Sequence, residues 1–405
     1  MRDAYIVSAV RTPGCRRGKG ALAQTRPEKL IVQAMKAAVE RIKLDPAAID
    51  DFMLGCAFPE AEQGLNLGRV ALQMAKFPDS VSGATVNRFC SSGLESIAIS
   101  ALKVMAGWSE VNMAGGCESM SIVPMGGNLP RPMAEWAKEN PDVYISMGIT
   151  AENVAKRYGI TREMQDEFAY HSNMKAAAAQ KNKYFTEIVP TTADKFVEKP
   201  DGTIVRETFV QDFDDGVRAE TTIEGLKKLK PAFSSTGSVT AGNSSQTTDG
   251  AAASIIMSED AVKKYGMKPL VKLVGYTVAG CKADEMGVGP AYAIPKLCKQ
   301  VGWDLKKLQT ESLIFELNEA FASQAIYCAQ QLGIGDKKYW ASDSSECRIN
   351  LNGGAIALGH PLGCTGSKIF ATLVANMVRK GVKYGIESMC IGGGMGAAAL
   401  FELCD

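Results

Sequence analysis

Apolar positions along the chain fall into two alternating rhythms: short runs that read as strands, and stripes at helical spacing. Ala4 to Val10 is a short apolar run followed by Arg11, a poor signal peptide and a good first strand. Further on, Leu94, Ile97, Ala98, Ala101, Leu102 and Met105 mark one buried helix face; Gly107 stops the helix, and the strand-like Val111 to Ala114 ends in Gly115-Gly116. Much later the order repeats. Gly363-Cys364-Thr365-Gly366 opens a helix carrying Ile369, Phe370, Leu373, Val374, Met377 and Val378, Gly381 stops it, and Ile386 to Ile391 runs into Gly392-Gly393-Gly394. Two such units about 275 residues apart predict a duplicated α/β domain.

Between the halves the texture changes. Residues 121–250 hold Pro-, Gly- and charge-rich loops around a clear helix, Arg162 to Lys181, and read as an excursion that covers a ligand. A chain of 405 residues is too long for one compact core, so two or three domains are expected. Lys and Arg total 45 against 44 acidic residues, a balance that argues against a general nucleic-acid or membrane-surface binder but leaves room for a local basic patch. No window has the roughly 18 apolar residues of a membrane span. The 11 cysteines are scattered without a C-x-x-C pair, which disfavours a metal cluster or disulfide lattice and fits a reducing compartment. With no peroxisomal tripeptide in Phe401 to Asp405, cytoplasm is the expectation.

Only two histidines occur. His171, between Tyr170 and Ser172 on the polar helix, reads as an exposed helix residue. His360 lies in Asn352-Gly353-Gly354-Ala355-Ile356-Ala357-Leu358-Gly359-His360-Pro361-Leu362-Gly363, too glycine-rich for a regular helix and suited to aiming a side chain; a satisfied structural histidine is the competing reading. Cys90 directly precedes a helix, whose dipole and free N–H groups would lower a thiol pKa and make a nucleophile. The bland alternative is a small buried hydrophobe, the reading given to nine of the other ten cysteines, among them Cys56, Cys117, Cys281 and Cys328. Cys390 ends an apolar strand before Gly392-Gly393-Gly394-Met395-Gly396. A dinucleotide loop there would need a following helix, whereas Ala397 to Leu403 looks like a closing strand. Asn318, after the strand Leu313 to Phe315, either fixes a water with support from Glu319 or caps a helix.

Cys90-Ser91-Ser92, Asn318-Glu319-Ala320-Phe321, Gly359-His360-Pro361 and Cys390-Ile391-Gly392, in this order, resemble the four signatures of the thiolase family. Supporting stretches also match, namely Gly115 to Met120, Val239 to Ser245 and Asp249 to Ala252. The resemblance covers essentially the whole chain. It implies a duplicated five-layer αβαβα fold: residues 1–120 with 250–270 as the first domain, 121–249 as a loop domain over the CoA and acyl site, and 271–405 as the second domain. It implies Cys90 as the nucleophile that takes the acyl group. His360 would activate it and, with a water on Asn318, polarise a thioester or ketone oxygen. Cys390 would be the acid/base at the departing acetyl-CoA carbanion, and the N–H groups of Cys90 and Gly392 a second oxyanion hole. No metal and no tightly bound cofactor are expected; coenzyme A and acyl-CoA enter as substrates.

For coenzyme A the resemblance points to Arg218, Phe233, Ala241, Ser245, Met147 and Met286, with Gly225 departing from a serine in some biosynthetic relatives. Ser146 stands before Met147-Gly148 where short-chain members often carry histidine. Together with Met286 to Pro295 and Asn318 to Cys328, this favours the degradative branch acting on medium or long 3-ketoacyl-CoA in fatty-acid β-oxidation. Condensation of two acetyl-CoA, a decarboxylating ketosynthase and a non-catalytic CoA- or lipid-binding subunit are the alternatives. A dimer or tetramer is implied, and a hydratase/dehydrogenase partner is an open expectation.

Overall fold

The computed structural model describes residues 2–405. The first half contains β1 (Ala4–Arg11), β2 (Cys15–Arg16), α1 (Pro27–Glu40), β3 (Asp51–Gly55), α2 (Leu67–Ala75), β4 (Ser82–Val86), α3 (Ser92–Met105) and β5 (Val111–Ser119). An excursion follows, with α4 (Ala134–Glu139), α5 (Met147–Tyr158), α6 (Arg162–Lys181), the ribbon β6 (Thr191–Glu198) and β7 (Ile204–Gln211), and α7 (Ile223–Lys227). The chain then returns through β8 (Thr248–Ser258) and α8 (Glu259–Tyr265). The second half runs β9 (Val271–Gly280), α9 (Gly289–Gln300), β10 (Leu313–Leu317), α10 (Ala322–Gln331), α11 (Ala355–Leu358), α12 (Thr365–Lys380), β11 (Tyr384–Ile391) and β12 (Met395–Leu403).

Strand pairing repeats from one half to the other. β8 lies antiparallel between β1 and β5, β5 is parallel to β3, and β3 is parallel to β4. Likewise β12 lies antiparallel between β9 and β11, and β11 is parallel to β10. A parallel bridge from Phe315 to Ile349 stands where the first half has β4. The two sheets meet at Tyr5–Lys272 and Ile6–Val271, giving one path β10-β11-β12-β9-β1-β8-β5-β3-β4. Helices α3 and α12 fill the space between the halves, α1 and α2 cover one outer face, and α9 and α10 cover the other. Five layers result.

At the centre the two helix starts touch backbone to backbone. A Cβ on Gly93 would sit 2.5 Å from the Ser367 nitrogen, and one on Gly366 would sit 2.2 Å from the Leu94 nitrogen. Only glycine permits that approach. Both helices also begin with a tight single turn, Phe89–Ser91 and Leu362–Cys364. The expected stripes are buried except for their flanks: Leu102 is 47% and Val378 51% exposed, because each lies about 100° round the helix from its buried neighbour, Ala101 or Met377.

Three expectations need correction. The strand at Val111 does not end at Gly115-Gly116 but continues to Ser119. The glycines are there for packing, since a Cβ on Gly115 would lie 2.6 Å from the Ala252 carbonyl oxygen and one on Gly116 2.7 Å from the Cys364 Cα. The histidine loop contains one helical turn, Ala355–Leu358, ahead of Gly359 at φ +81°. His171 is buried, 5% exposed: its Nδ1 faces the Ser342 hydroxyl at 2.8 Å and accepts the Ser342 N–H at 3.0 Å, and its ring edge meets Trp340. The residues that cover α6 lie some 170 positions away, so the helix's own polar pattern gave no sign of them.

The excursion is tied to the first half by a buried ionic cluster. The fully buried Arg11 guanidinium donates to both carboxylate oxygens of Asp214, at 2.7 and 2.9 Å, and to Glu187 at 3.2 Å. Among the described residues, no helix is long and apolar enough to cross a membrane.

Candidate active site

Cys90 follows a strained residue. Phe89 holds φ +45°, a conformation that L side chains rarely adopt. Its N–H donates to the Asn87 side chain at 2.8 Å, and its carbonyl accepts the Ser92 hydroxyl at 2.6 Å. This turn brings Cys90 out of β4 and up to the start of α3. Its thiol is pushed up to about 11, chiefly by burial. The N–H groups of Gly392 and of Cys90 itself act on the sulfur in the opposite sense. The lowered pKa expected from a helix start therefore does not hold in the resting protein: the sulfur is cut off from water, and desolvation outweighs the dipole.

His360 is held on three sides. Its backbone N–H donates to the Gln246 carbonyl at 2.9 Å and reaches the Thr248 hydroxyl at 3.1 Å. Its Nδ1 lies 2.5 Å from the Thr365 oxygen, and Thr365 donates its own hydroxyl proton to the Pro361 carbonyl at 2.9 Å. A hydroxyl that has given its proton away can only accept, so Nδ1 carries the imidazole hydrogen and Nε2 is bare. Nε2 faces the Asn318 amide nitrogen at 3.4 Å. Burial first, and then the charge of Lys368, lower the imidazole to about 3, so the ring is neutral at rest. Lys368 is itself buried and reaches the Gly359 carbonyl at 3.4 Å.

Asn318 follows β10 and does not cap the next helix, because α10 starts at Ala322 with Phe321 in the capping position. Its Oδ1 is buried with no protein partner, an acceptor suited to holding a water. Glu319 does not bond Asn318. It accepts from the Ser172 hydroxyl at 2.6 Å, the Asn350 amide at 2.7 Å and the Ile356 N–H at 3.3 Å, and so fastens the loop before His360 to α6. The segment 240–247 joins both catalytic loops: Ser245 N–H donates to Ala320, Asn243 accepts from Ala322, and Gln246 donates to Ile356.

On the other wall, Glu118 receives N–H groups from Ala57 at 2.7 Å, Gly363 at 2.8 Å and Phe58 at 3.3 Å, plus the Gln63 amide at 2.7 Å. One carboxylate thus pins the loop after β3 to the start of the α12 turn. Cys390 is fully buried among Met147, Met286, Ala320 and Phe321. Burial first, and the neighbouring Cys90 sulfur second, hold its thiol well above the ordinary range.

Cys90 and His360 open on one cavity of about 160 Å³, also lined by Met147, Met286, Phe233 and Ser245, with Met120, Met125, Phe321 and Leu362 completing an apolar wall. Asn318 and Cys390 are not part of this lining: Asn318 faces His360, and Cys390 packs against Met147, Met286, Ala320 and Phe321. Of the residues expected to meet coenzyme A, four line the cavity, while Arg218 and Ala241 are exposed and outside it. Sequence reasoning missed Thr365, Glu118 as a clamp, and the extra wall methionines. Thr365, five residues after His360 at a helix start, was the one with a local signal. Among the described residues, no group of three or more His, Cys, Asp or Glu is placed to hold a metal ion.

The N-terminal domain model of thiolase matches residues 4–260, and the C-terminal domain model matches residues 267–403. The chain is 47% identical over 405 residues to a 3-ketoacyl-CoA thiolase of Bacillus subtilis, covering all of both chains. It is 43% identical over 404 residues to the peroxisomal 3-ketoacyl-CoA thiolase of Homo sapiens, covering 99% of this chain and 91% of that protein. Among solved structures it superposes on the Bacillus anthracis acetyl-CoA acetyltransferase with a TM-score of 0.86 at 38% identity, covering 100% of this chain and 99% of the other. On human mitochondrial 3-ketoacyl-CoA thiolase the TM-score is 0.84 at 36% identity, with the same coverage. With the two thiolase domain models matching the two halves of a duplicated α/β fold that brings Cys90 and His360 to one apolar cavity, the chain belongs to the thiolase family.

Proposed function

We propose that this protein cleaves 3-ketoacyl-CoA with free coenzyme A, giving acyl-CoA and acetyl-CoA through an acyl-cysteine, in fatty-acid β-oxidation. The observation that carries the reading is geometric: Cys90 and His360 meet at one apolar cavity, the His360 Nδ1 is committed to Thr365, and Cys390 packs against Met147 and Met286 of the cavity wall. His360 takes the Cys90 proton as the sulfur attacks the keto carbon. The imidazolium and a water held by Asn318 polarise a thioester or ketone oxygen, and the N–H groups of Cys90 and Gly392 form a second oxyanion hole. When the carbon–carbon bond breaks, its electron pair goes to the acetyl-CoA carbanion, which takes the Cys390 proton. Incoming coenzyme A gives its thiol proton to Cys390 and receives the acyl group, and the imidazolium proton returns to Cys90.

Four methionines and two phenylalanines in the cavity wall support an acyl chain longer than acetyl, because thioether side chains adapt to varied apolar shapes. Ser146 before Met147 favours the same preference. The likeness to an acetyl-CoA acetyltransferase at TM-score 0.86 favours a second reading, condensation of two acetyl-CoA. Cleavage rates on C4, C8 and C16 3-ketoacyl-CoA test the choice: higher kcat/KM on the longer chains is expected, and a clear C4 preference sinks it. Arg218, exposed on the excursion, is assigned to the coenzyme's phosphates. A homo-oligomer, dimer or tetramer, is also proposed. It is supported by β4, which ends the sheet with its edge unpaired, and by Leu65, 95% exposed nearby. Free cysteines at all eleven positions support a reducing compartment, with cytoplasm as the assignment.

A further inference from the structure

We infer that a cavity of about 260 Å³ between α6 and the end of α12, separate from the catalytic cavity, binds a small oxyanion: inorganic phosphate or the phosphate of a small monoester. Its lining brings together Lys175, Arg379, Lys380, Asn352, Ser342 and Ser344, and includes no carboxylate. Among the described residues, none of these three cations has an acidic partner within 4.0 Å, although the chain as a whole is nearly neutral. Lys175 is only 6% exposed, and its ammonium meets a single carbonyl, that of Ile349 at 2.8 Å. A desolvated ammonium with one neutral acceptor is costly without a counter-charge. The carboxyl group of Glu316 lies near Lys175, but burial raises it to about 8, so it stays mostly protonated near neutral pH.

The second observation is independent of charge. Asn352, a lining residue, is 1% exposed, and its buried amide nitrogen has no hydrogen-bond partner. Its orientation is fixed, because the amide oxygen already accepts from Arg379 at 3.2 Å. Arg379 is in turn held by Asn376 at 2.7 Å and stacks over the Tyr184 ring at 4.1 Å. Lys175 and Asn352 thus bring a buried ammonium and an unspent amide N–H to this lining. The walls add a guanidinium and a second ammonium, and the rim adds serine hydroxyls. This set matches the several acceptor oxygens of a phosphate and no cation.

Titration calorimetry at constant ionic strength, with inorganic phosphate, sulfate and glycerol 3-phosphate as probes, tests the site. Saturable binding of phosphate is expected with coenzyme A saturating the catalytic cavity. Asn352→Asp, which places a carboxylate oxygen where the amide donor stands, and the surface pair Arg379→Gln/Lys380→Gln are each expected to weaken it at least tenfold. Arg218→Ala is expected to leave it unchanged. The stronger binder of inorganic phosphate and glycerol 3-phosphate identifies the source. No saturable heat, binding displaced by coenzyme A, or binding unchanged in both variant proteins overturns the inference.

Discussion

At Cys90 two influences on one thiol oppose each other, and burial prevails over the N–H groups of Gly392 and Cys90. A thiol held at about 11 needs a base at the moment of attack, and in the proposed mechanism the bare Nε2 of His360 is that base, a role it can fill only while Nδ1–H has an acceptor. Thr365 supplies the acceptor. Thr365→Val removes it without changing side-chain volume much, so the imidazole is free to adopt the other tautomer. A fall in kcat of at least tenfold is expected with KM little changed, and an unchanged kcat in steady-state thiolysis assays would show that Thr365 does not set the tautomer. In the proposed mechanism Cys390 protonates the carbanion when the carbon–carbon bond breaks. A thiolate leaves without a proton far more readily than a carbanion, so Cys390→Ala is expected still to be acylated by acyl-CoA, seen as a mass increase on the peptide bearing Cys90, yet to lose about 10²–10⁴ in thiolysis rate. Equal thiolysis rates for the wild type and this variant would refute the role. In the sequence His360 and Cys390 stand out beside glycine-rich runs, Cys90 by the helix that starts after it, and Asn318 by the apolar strand before it. The direction of the Cys90 shift was not legible, since desolvation is a property of everything packed around the sulfur. His171 was misread for the same reason.

Elements were read more securely than their ends. The helix Arg162–Lys181 and the closing strand agree with the sequence pattern to within a few residues, because long apolar periodicity is a local signal. Gly115-Gly116 was taken for a stop because glycine interrupts a strand as often as it lets another backbone approach, and only the packed structure distinguishes the two. The same ambiguity makes the centre of the fold testable. Gly366 and Gly93 let α12 and α3 meet at their first turns, the turns that carry Thr365 and follow Cys90. Gly366→Ala places a methyl against the Leu94 nitrogen, which is rigid backbone. Overpacking of this kind costs about 1–3 kcal/mol, and here it also shifts both catalytic turns. Urea denaturation is expected to show that loss together with reduced kcat. Full activity with only lowered stability would mean that the two turns move independently.

For the whole molecule, the question is what keeps a largely polar excursion seated on the first half over the cavity. Apolar contacts carry part of it, but among the described residues the only charge cluster that joins the two and is shut off from water is Arg11 with Asp214 and Glu187. Burial alone would push the Asp214 carboxyl up; the Arg11 charge and its two hydrogen bonds more than reverse this, so its pKa lies below the ordinary carboxylate value. A depressed carboxylate contributes stability above the pKa it has when unfolded, roughly 3.9, and that contribution is lost as pH falls through the lower folded value. The wild type is therefore expected to lose stability in acid below about pH 4 partly through this pair. Asp214→Asn leaves a guanidinium buried beside a neutral amide, with Glu187 as its remaining charged partner. Breaking a buried pair in this way costs about 3–5 kcal/mol, and the acid-dependent part of the wild-type loss should vanish with the carboxylate. Because Asp214 also accepts the Gly14 N–H at 2.6 Å, the loop after β1 should loosen with the excursion. Limited proteolysis is thus expected to cut first within residues 187–220 in the variant. Denaturation curves that coincide with wild type at pH 7 would mean that the excursion is seated by its apolar contacts alone.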